Sequence, residues 1–471
     1  MNTLYFVAQH NTQPRHLVTY NRAVPGKHYP AYEWFITPYW MRRFGPLKLI
    51  RTSLLDRVGL HFYTLFSALN GVLAGVFTLA AVVMRKTLGA SDLEIGIFNS
   101  VSVIVLLLGI VGSEMVEGRD KRPYIFWMGL ISRGAFLLFL FVGTTWQFIV
   151  VAGLFFLFNA PLMPAIFSMW QANISAETRG RLWGMTAVIA TLISMAAAYI
   201  AGKMLDWDPM SFRWLFATAG VLAMLGVVIL TISPLRGQYK LARQAAPISL
   251  ERILIQPVKS FVKLLTNDRR FLAFETAFFL YGLGLMVLFP VIPIYIVDVA
   301  QMSYEQAGIA TGILSQLAVI FLVTTWGRLM DRLGPVAICI VIFTILAYVP
   351  LILLAGLHIP GVPYAAIIAV YAGYIVHGIG MSGIHVAWSM GPVMFAGNRD
   401  SSNYSGAHVT LTGLRGVIGP IAGALVKMYF GYTPVFIVSA ALFILGALGM
   451  AILHHKFRVN PPNNSAGLVS S

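Results

Sequence analysis

Charged residues are scarce in this chain of 471 residues, where only 11% are Asp, Glu, Lys or Arg and 58% are hydrophobic. A soluble protein carries roughly 25% charged residues, so the composition excludes an ordinary soluble domain. The single cysteine, Cys339, excludes an internal disulfide framework and a cysteine-based metal site. No Walker-type Gly-x4-Gly-Lys-Ser/Thr, HExxH or GxSxG sequence is present. The sequence therefore predicts no enzyme, no ATP drive from this chain, no cofactor and no bound metal.

Acidic residues are also few, with 17 Asp and Glu against 33 Lys and Arg and a formal net charge of +16. With a cytoplasmic N-terminus, 26 of the 33 basic residues fall in segments on the inner side and 5 on the outer side. This asymmetry is the positive-inside pattern. It predicts that both termini are cytoplasmic, that the basic side contacts anionic lipids, and that the protein binds no nucleic acid.

Long apolar runs are abundant, and each has about the length of a membrane-spanning helix. Their uniformly apolar composition lacks the alternation of barrel strands. Lipid admits only helices or closed barrels, so the sequence predicts an all-α membrane protein with twelve transmembrane helices. The runs cover about 59–84, 93–116, 124–143, 146–168, 183–204, 213–233, 271–297, 305–326, 336–356, 363–392, 405–427 and 432–454.

The runs form two groups of six, at 58–233 and 271–455, joined by a basic central loop at 234–270. Apolar spacing from Ile248 to Leu265 predicts an amphipathic helix on the membrane surface. The extension 1–57 has no apolar core, so no cleavable signal peptide is expected. Its interleaved aromatic and basic residues favour the membrane interface, with docking of a partner as the alternative. A short tail, 456–471, ends the chain.

The two groups repeat each other weakly. A shift of 212 residues places Ser91-x-x-Glu94 on Ser303-x-x-Gln306 and Pro123 on Pro335. Both Ser-x-x-Glu/Gln pairs predict capping boxes that open a helix. Such duplication is expected of two parallel repeats related by an axis along the membrane normal.

One stretch between the eighth and ninth runs carries a recognisable pattern, GRLMDRLG at 327–334. It resembles the G-x-L-x-D-R-x-G signature between the second and third helices of each half of a major facilitator superfamily transporter. The resemblance implies close helix approach at the glycines and a charged lock at the cytoplasmic helix ends. The implied gating residues are Gly327, Asp331, Arg332 and Gly334, with Glu117, Arg119 and Arg122 in a degenerate first copy.

With the run count, the central loop and the repeat, this resemblance covers residues 59–455. It implies two six-helix halves that rock to give alternating access, with the first, fourth, seventh and tenth helices lining a central cavity. The small-molecule substrate would bind between the halves, near the middle of the membrane.

Several polar side chains fall on those helices, where intramembrane polar groups are often functional. His377 and His385 in the tenth run are possible proton carriers, or hydrogen-bonded histidines between helices. They stand eight residues apart, roughly 12 Å along the axis, too far to be neighbouring ligands of one metal. Glu275 in the seventh run is either protonated during transport or paired with Arg269 or Arg270.

The eleventh run places His408, Thr412 and Arg415 on one stripe. Arg415 cannot lose its proton and therefore needs a counter-charge, a carbonyl or an anionic substrate. The pattern that follows it, Gly416 to Gly423, resembles the Gly-Pro pattern of an antiporter motif. Drug–proton antiporters carry that motif in the fifth helix, and the fifth run here lacks it.

Four further residues complete the candidates. Arg133 in the third run is deep enough to need a partner, and Glu114 is the predicted one. Asn70 and Asn159 either contact substrate or hold helices together. Tyr281 is expected to line the cavity. Pro161 and Pro164 predict a kink beside Asn159.

The sequence as a whole predicts a secondary active transporter for a small solute, with proton coupling as a hypothesis. Two deep arginines, and no acid deep in the first or fourth run, favour an anionic or amphiphilic solute. Export and uptake both stay open. A monomer in a bacterial inner membrane is expected. The alternative function is a non-transporting sensor or assembly factor that docks a partner through residues 1–57.

Overall fold

The computed structural model describes residues 54–104, 120–233, 256–359, 364–396 and 401–459, and these are helical almost throughout. Most of the N-terminal extension and of the tail lies outside the described residues, as do residues 234–255 of the central loop. The predictions made for those segments are therefore not addressed by the structure.

The first half contains six membrane-crossing helices, several of them in two pieces. They are α1 (Leu54–Phe77 and Ala80–Lys86), α2 (described over Asp92–Ile104), α3 (Lys121–Gly134 and the 3-10 segment Ala135–Phe141), α4 (Thr145–Asn159 and Leu162–Asn173), α5 (Ala176–Trp207) and α6 (the turn Pro209–Ser211 and Phe212–Ile232).

The second half follows a short amphipathic helix, Gln256–Asn267, which we call the linker helix. Its six crossing helices are α7 (Arg269–Leu288 and Val291–Asp298), α8 (Tyr304–Gly308, the π-helix Ile309–Leu314 and the start of Ser315–His358), α9 (the remainder of Ser315–His358), α10 (Ala365–Ala396), α11 (Ser401–Phe430) and α12 (Tyr432–Val459).

Ten stretches of the described residues are long and apolar enough to cross a membrane. The stretch Tyr304–His358 contains two crossings, because Gly334 leaves the helical conformation with φ 80° and separates α8 from α9. Glycine is suited to that positive φ since it has no Cβ. The helix Asp92–Ile104 is the described part of the second predicted run. The expected all-α class with twelve transmembrane helices is thereby confirmed.

Prolines mark two of the helix breaks, and the break in α4 is the predicted one. α4 stops at Asn159 and resumes at Leu162, with Pro161 between the two pieces. α7 stops at Leu288 and resumes after Pro290. The break in α1 after Phe77 and the π-helix in α8 have no proline and were not anticipated.

Both predicted capping boxes are present. Ser303 Oγ accepts from the Gln306 amide at 3.1 Å, and Gln306 Oε1 accepts from the Ser303 amide at 3.0 Å. Glu94 Oε2 likewise accepts from the Ser91 amide at 2.8 Å, while Ser91 Oγ accepts from the Glu94 amide at 3.3 Å. A third box, at Thr144 and Gln147, opens α4.

The linker helix carries its apolar side toward the bundle. Phe261, Leu264 and Leu265 pack against the buried core, whereas Val262 is 53% exposed. An amphipathic helix is therefore present from Gln256, with its apolar side on the bundle, whereas residues 248–255 of the predicted helix lie outside the described residues. Asp268 then caps α7 by accepting from the Phe271 amide at 3.0 Å.

Small residues allow α1 and α5 to pack closely. A Cβ added at Gly75 would lie 2.1 Å from the Ser194 carbonyl oxygen, and one at Gly71 would lie 2.6 Å from that of Ala190. This close approach is typical of helix pairs in membranes, where van der Waals packing drives association.

Gly75→Ala should therefore destabilise the first half by about 1–3 kcal/mol, because the two helices must move apart. Thermal or denaturant unfolding of the purified protein in detergent measures the effect. Gly184 of α5 has no atom within 4 Å of an added Cβ. Gly184→Ala is the matched control and should be neutral or stabilising by up to about 1 kcal/mol. Equal losses in both variants would contradict the packing argument.

Candidate functional site

The two halves meet extensively at one end of the bundle, where α2 packs on α11, α5 on α8 and the end of α1 on the end of α7. We call it the sealed end, defined by Arg85, Asp92, Asp298 and Lys427. Small residues line these contacts. Added Cβ atoms would lie 2.7 Å from Ala424 Cβ at Gly96, 2.7 Å from the Tyr304 carbonyl at Gly202 and 2.8 Å from the Ala198 carbonyl at Gly308.

Four charged side chains from four helices form a network at the sealed end. Arg85 of α1 donates from Nε to Asp298 Oδ1 of α7 at 2.9 Å, and its Nη2 bonds the second oxygen. Lys427 of α11 donates to both oxygens of Asp92 of α2 at 2.8 and 2.9 Å. Since Arg85 and Asp92 belong to the first half and the other two to the second, the shortest pairs join the halves.

A carboxylate of the first half also caps a helix of the second. Asp206 of α5 accepts from the backbone amides of Tyr304 and Glu305, at 2.7 and 2.8 Å. These amides open α8, and a negative charge there is stabilised by the helix dipole. Lys86 donates to the Met302 carbonyl at 2.8 Å nearby. The sealed end is thus held by charges and by backbone groups.

The signature residues lie at the opposite end, where the expected contacts are not formed. Asp331 and Arg332 are exposed and have no ion pair with another residue that the structure describes. Among the described residues no atom lies within 4 Å of a Cβ added at Gly327, so the close helix approach predicted there is not formed in this arrangement.

The degenerate first copy is only partly described. Glu117 and Arg119 lie outside the described residues. Arg122 lies 3.8 Å from the carboxylate of Asp120, which also caps α3 by accepting from the Arg122 amide at 2.9 Å. Its visible partner is therefore a local one.

A polar cluster in the first half joins three helices around Arg133 of α3. Arg133 donates from Nε and Nη2 to Asn70 Oδ1 of α1 at 3.2 and 3.0 Å. Its Nη1 donates to Asn159 Oδ1 of α4 at 2.9 Å and to Ser132 Oγ at 2.7 Å. Three residues predicted separately are thus one cluster. The predicted partner, Glu114, lies outside the described residues.

A second cluster joins α7 to α11 through a buried acid and a buried histidine. His408 Nδ1 lies 2.9 and 3.0 Å from the two Glu275 carboxylate oxygens, and both side chains are 2% exposed. The predicted alternative, in which Glu275 pairs with Arg269 or Arg270, is therefore wrong, because the Glu275 carboxylate contacts His408. His408 Nε2 is buried without a hydrogen-bond partner. The pair is therefore a buried contact between an acid and a histidine that joins the two helices.

Arg415 completes the second cluster about two helix turns beyond His408 along α11. It donates from Nη1 to the Phe278 carbonyl at 2.6 Å and from Nη2 to Thr412 Oγ1 at 3.2 Å. Its guanidinium lies 5.7 Å from the ring centre of Tyr281. Of the three partners expected for Arg415, the structure provides the carbonyl. Gly282 makes this possible, because an added Cβ would stand 2.1 Å from the guanidinium.

The remaining candidates form no hydrogen bond with Glu275 or His408 within the part of the chain that the structure describes. Tyr281 is 1% exposed and stacks on Phe343 at 4.3 Å, so it packs inside the second half instead of lining an open cavity. His377 Nδ1 lies 3.3 Å from Ser315 Oγ of α8. His385 is exposed and bonds no other side chain of the part of the chain that the structure describes.

Two groups of contacts in the candidate site were not predicted from the sequence. The sealed-end network joins residues more than 200 positions apart and has no local motif, although charges at run boundaries are a weak signal for it. Trp388 of α10 donates to Thr412 Oγ1 at 3.3 Å and lies edge-on to His408, with ring centres 5.5 Å apart. No group of three or more metal-ligating side chains occurs among the described residues.

The sequence model of the Major Facilitator Superfamily matches residues 63–420 and, in a second alignment, 276–468. The chain belongs to the major facilitator superfamily. It is accordingly a multi-pass membrane transporter of the secondary type and not an enzyme. A comparison with curated proteins returned no match.

Solved superfamily structures share this fold at low identity. The nucleoside transporter NupG is 17% identical with a TM-score of 0.63, over 84% of this chain and 98% of that one. The peptide transporter POT, in complex with sulfate, is 16% identical with a TM-score of 0.62, over 85% and 95%. A bacterial homologue of the human lysosomal transporter Spinster, in an inward-facing and unoccupied conformation, is 14% identical with a TM-score of 0.58, over 87% and 97%.

The sealed-end network yields a test of its role. Ser100 of α2 is 6% exposed and donates to the Val417 carbonyl of α11 at 3.1 Å, so it lies at the contact between the halves. In a Cys339→Ser background, Ser100→Cys places a single thiol at this contact. Arg85→Gln should accelerate labelling by a membrane-impermeant maleimide about two- to fivefold, the shift that loss of one partly exposed ion pair produces. The charge-swapped pair Arg85→Asp with Asp298→Arg should restore slow labelling.

Arg213→Gln is the control for that experiment. Arg213 lies at the same end but donates to the Val142 carbonyl of its own half, at 2.8 Å. Labelling rates that respond equally to Arg213→Gln and Arg85→Gln would show that the network does not hold the halves together.

The contact between Gly282 and Arg415 yields a second test. Gly282→Ala should destabilise the protein by about 2 kcal/mol or more, because the guanidinium must leave its buried acceptors. In an Arg415→Met background, Gly282→Ala should reduce the stability clearly less, because the guanidinium that the added Cβ would meet is gone and the two sites are coupled. Gly406→Ala on α11, where nothing lies within 4 Å, is the control. Additive losses of stability in the double variant would contradict the assignment.

Proposed function

We propose that this protein is a proton-coupled secondary active transporter that moves a small anionic or amphiphilic solute by alternating access. The observation that carries the coupling is the buried Glu275–His408 pair beside Arg415. In this transporter the two halves, 58–233 and 271–455, would move relative to each other, and the loop 234–270 joins them. We expect it to act as a monomer, with its basic side on anionic lipids.

Alternating access is supported by the difference between the two ends of the bundle. The sealed end is closed by ion pairs that each contribute little, so thermal motion can break them. With both termini cytoplasmic, in the cell membrane as the positive-inside pattern indicates, the sealed end is extracellular. The signature around Asp331 then lies at the open, cytoplasmic end, where it would pair when the halves rock.

Proton coupling follows from the charges of the second cluster. Arg415 is permanently positive, and an ionised Glu275 balances it while His408 stays neutral and donates from Nδ1. A proton added to this pair leaves an unbalanced positive charge in a buried site, which is costly. An anionic solute bound between the halves would remove that imbalance. Proton and anion would therefore be carried together with no change in net charge.

The balance of buried charges also supports the proposed class of solute. Among the described residues each half buries one arginine, and both are 4% exposed. The carboxylate that attracts Arg415, that of Glu275, is already bonded to His408. An organic cation would add to this excess of positive charge. We therefore favour a monoanion or an amphiphile with one acidic group.

The test uses proteoliposomes loaded with a pH-sensitive dye and offered a panel of short and medium-chain monocarboxylates. The wild type should import protons together with the transported solute. Glu275→Gln and His408→Gln should lose gradient-driven uptake by about tenfold or more, because neither can hold the coupling proton. Both should retain solute exchange at equal pH. His358→Gln, at the end of α9, controls for loss of a histidine.

A solute-independent measurement supplements this assay. Protonation of His408 should quench the fluorescence of neighbouring Trp388, so a pH titration of the wild type should contain a transition that His408→Gln and Trp388→Phe both lack. Uptake that is insensitive to a pH gradient, and unchanged in both coupling variants, would disprove the proton coupling.

A further inference from the structure

The first-half cluster has a property that the second does not share. Arg133 is 4% exposed, and each of its hydrogen-bond acceptors is a neutral oxygen, on Asn70, Asn159 or Ser132. No carboxylate of the described residues lies within 4.0 Å of its guanidinium. Arg415, in contrast, is attracted by the charge of Glu275. A buried cation with no counter-charge among the described residues is costly to keep, so this position favours an anion.

We propose that Arg133, Asn70 and Asn159 form the binding site for the acidic group of the solute, and that the group is a carboxylate on an apolar body. This inference rests on the proposed transport of an anionic or amphiphilic solute. It places recognition in the first half, away from the proton-carrying pair in the second.

Hydrogen-bonding capacity is left over in the cluster. A guanidinium has five N–H donors, and the bonds to Asn70, Asn159 and Ser132 occupy four of them. The fifth is on Nη2. The amide nitrogen of Asn159 donates to no other residue that the structure describes. One guanidinium N–H and one amide N–H together match the two oxygens of a carboxylate.

The members of the cluster differ in burial. Asn70 and Asn159 are half-buried, whereas Arg133 is almost fully buried. Asn159 is also the last residue before the break of α4. The two asparagine side chains are therefore the more accessible members of the cluster.

The single positive charge of Arg133 favours a monoanion, and the aromatic rings beside it favour an apolar body. One arginine compensates one negative charge, so a phosphate dianion would remain partly unbalanced in a buried site. The Phe155 ring centre lies 5.9 Å from the Arg133 guanidinium. Phe77 lies 5.9 Å from Phe155 and 5.7 Å from Phe156, and all three rings are half-buried. This aromatic surface beside the charge fits an alkyl chain or an aromatic ring.

The experiment is a binding titration of the purified full-length protein in detergent, by calorimetry and by thermal shift. The probes are octanoate, acetate, octanamide and inorganic phosphate. Octanoate should bind and stabilise the wild type. The other three probes should not, because octanamide lacks the charge, acetate lacks the apolar body and phosphate carries too much charge. Arg133→Gln should abolish octanoate binding. Arg133→Lys and Asn159→Ala should each weaken it about tenfold, since the first keeps charge without the planar fork.

Three controls keep the outcomes separable. Arg213→Lys alters an arginine of the first half outside the cluster and should bind octanoate as the wild type does. His358→Gln, at the end of α9, should also bind it, since His358 bonds the Leu354 carbonyl of its own helix and lies outside both clusters. Asn159→Ala keeps Arg133 in place and tests the site if Arg133→Gln does not fold.

Two results would overturn the inference. One is octanoate binding of equal strength in the wild type, Arg133→Lys and Asn159→Ala. The other is a wild type that binds no octanoate while Glu114→Gln does, which would identify Glu114 as the permanent counter-ion. Binding that depends on Arg133 in a protein that transports no monocarboxylate would instead overturn the proposed function and leave the site standing.

Discussion

The structure depends on one constraint, which is that polar groups inside the bilayer must find their partners within the protein. Continuous helices satisfy the backbone, and capping boxes satisfy helix starts at Ser91, Thr144 and Ser303. Buried side chains meet the same requirement through clusters. Arg133 bonds two asparagines and Arg415 bonds a backbone carbonyl, because a buried guanidinium needs hydrogen-bond acceptors within the protein.

The two halves repeat the fold without repeating the chemistry. Capping and helix order recur between them, as expected of a duplicated unit. The polar clusters do not recur, since α3 supplies the arginine of one half and α11 that of the other. The second cluster contains an acid and a histidine, whereas the described part of the first contains only neutral acceptors. This asymmetry separates a group suited to carrying a proton from a group suited to holding an anion.

Closure of the sealed end combines weak charges with smooth surfaces. Gly96, Gly202 and Gly308 let helices of opposite halves touch without interlocking side chains. Partly exposed ion pairs such as Arg85 with Asp298 then hold the contact at modest strength. A gate that must open repeatedly benefits from both features, because no large side chain has to leave a deep pocket and no buried charge is exposed.

The sequence by itself determined the membrane class, the twelve helices, the family and the break at Pro161. Hydropathy, proline and capping residues act over a few neighbouring positions, so their consequences can be deduced from local order. It also identified Glu275, His408, Arg415, Arg133, Asn70 and Asn159 as unusual, because polar residues in apolar runs are conspicuous. Which of them are partners was decided only by tertiary structure. The Glu275–His408 pair spans 133 residues and the Arg85–Asp298 pair 213, and such distances close only when helices from different parts of the chain pack side by side.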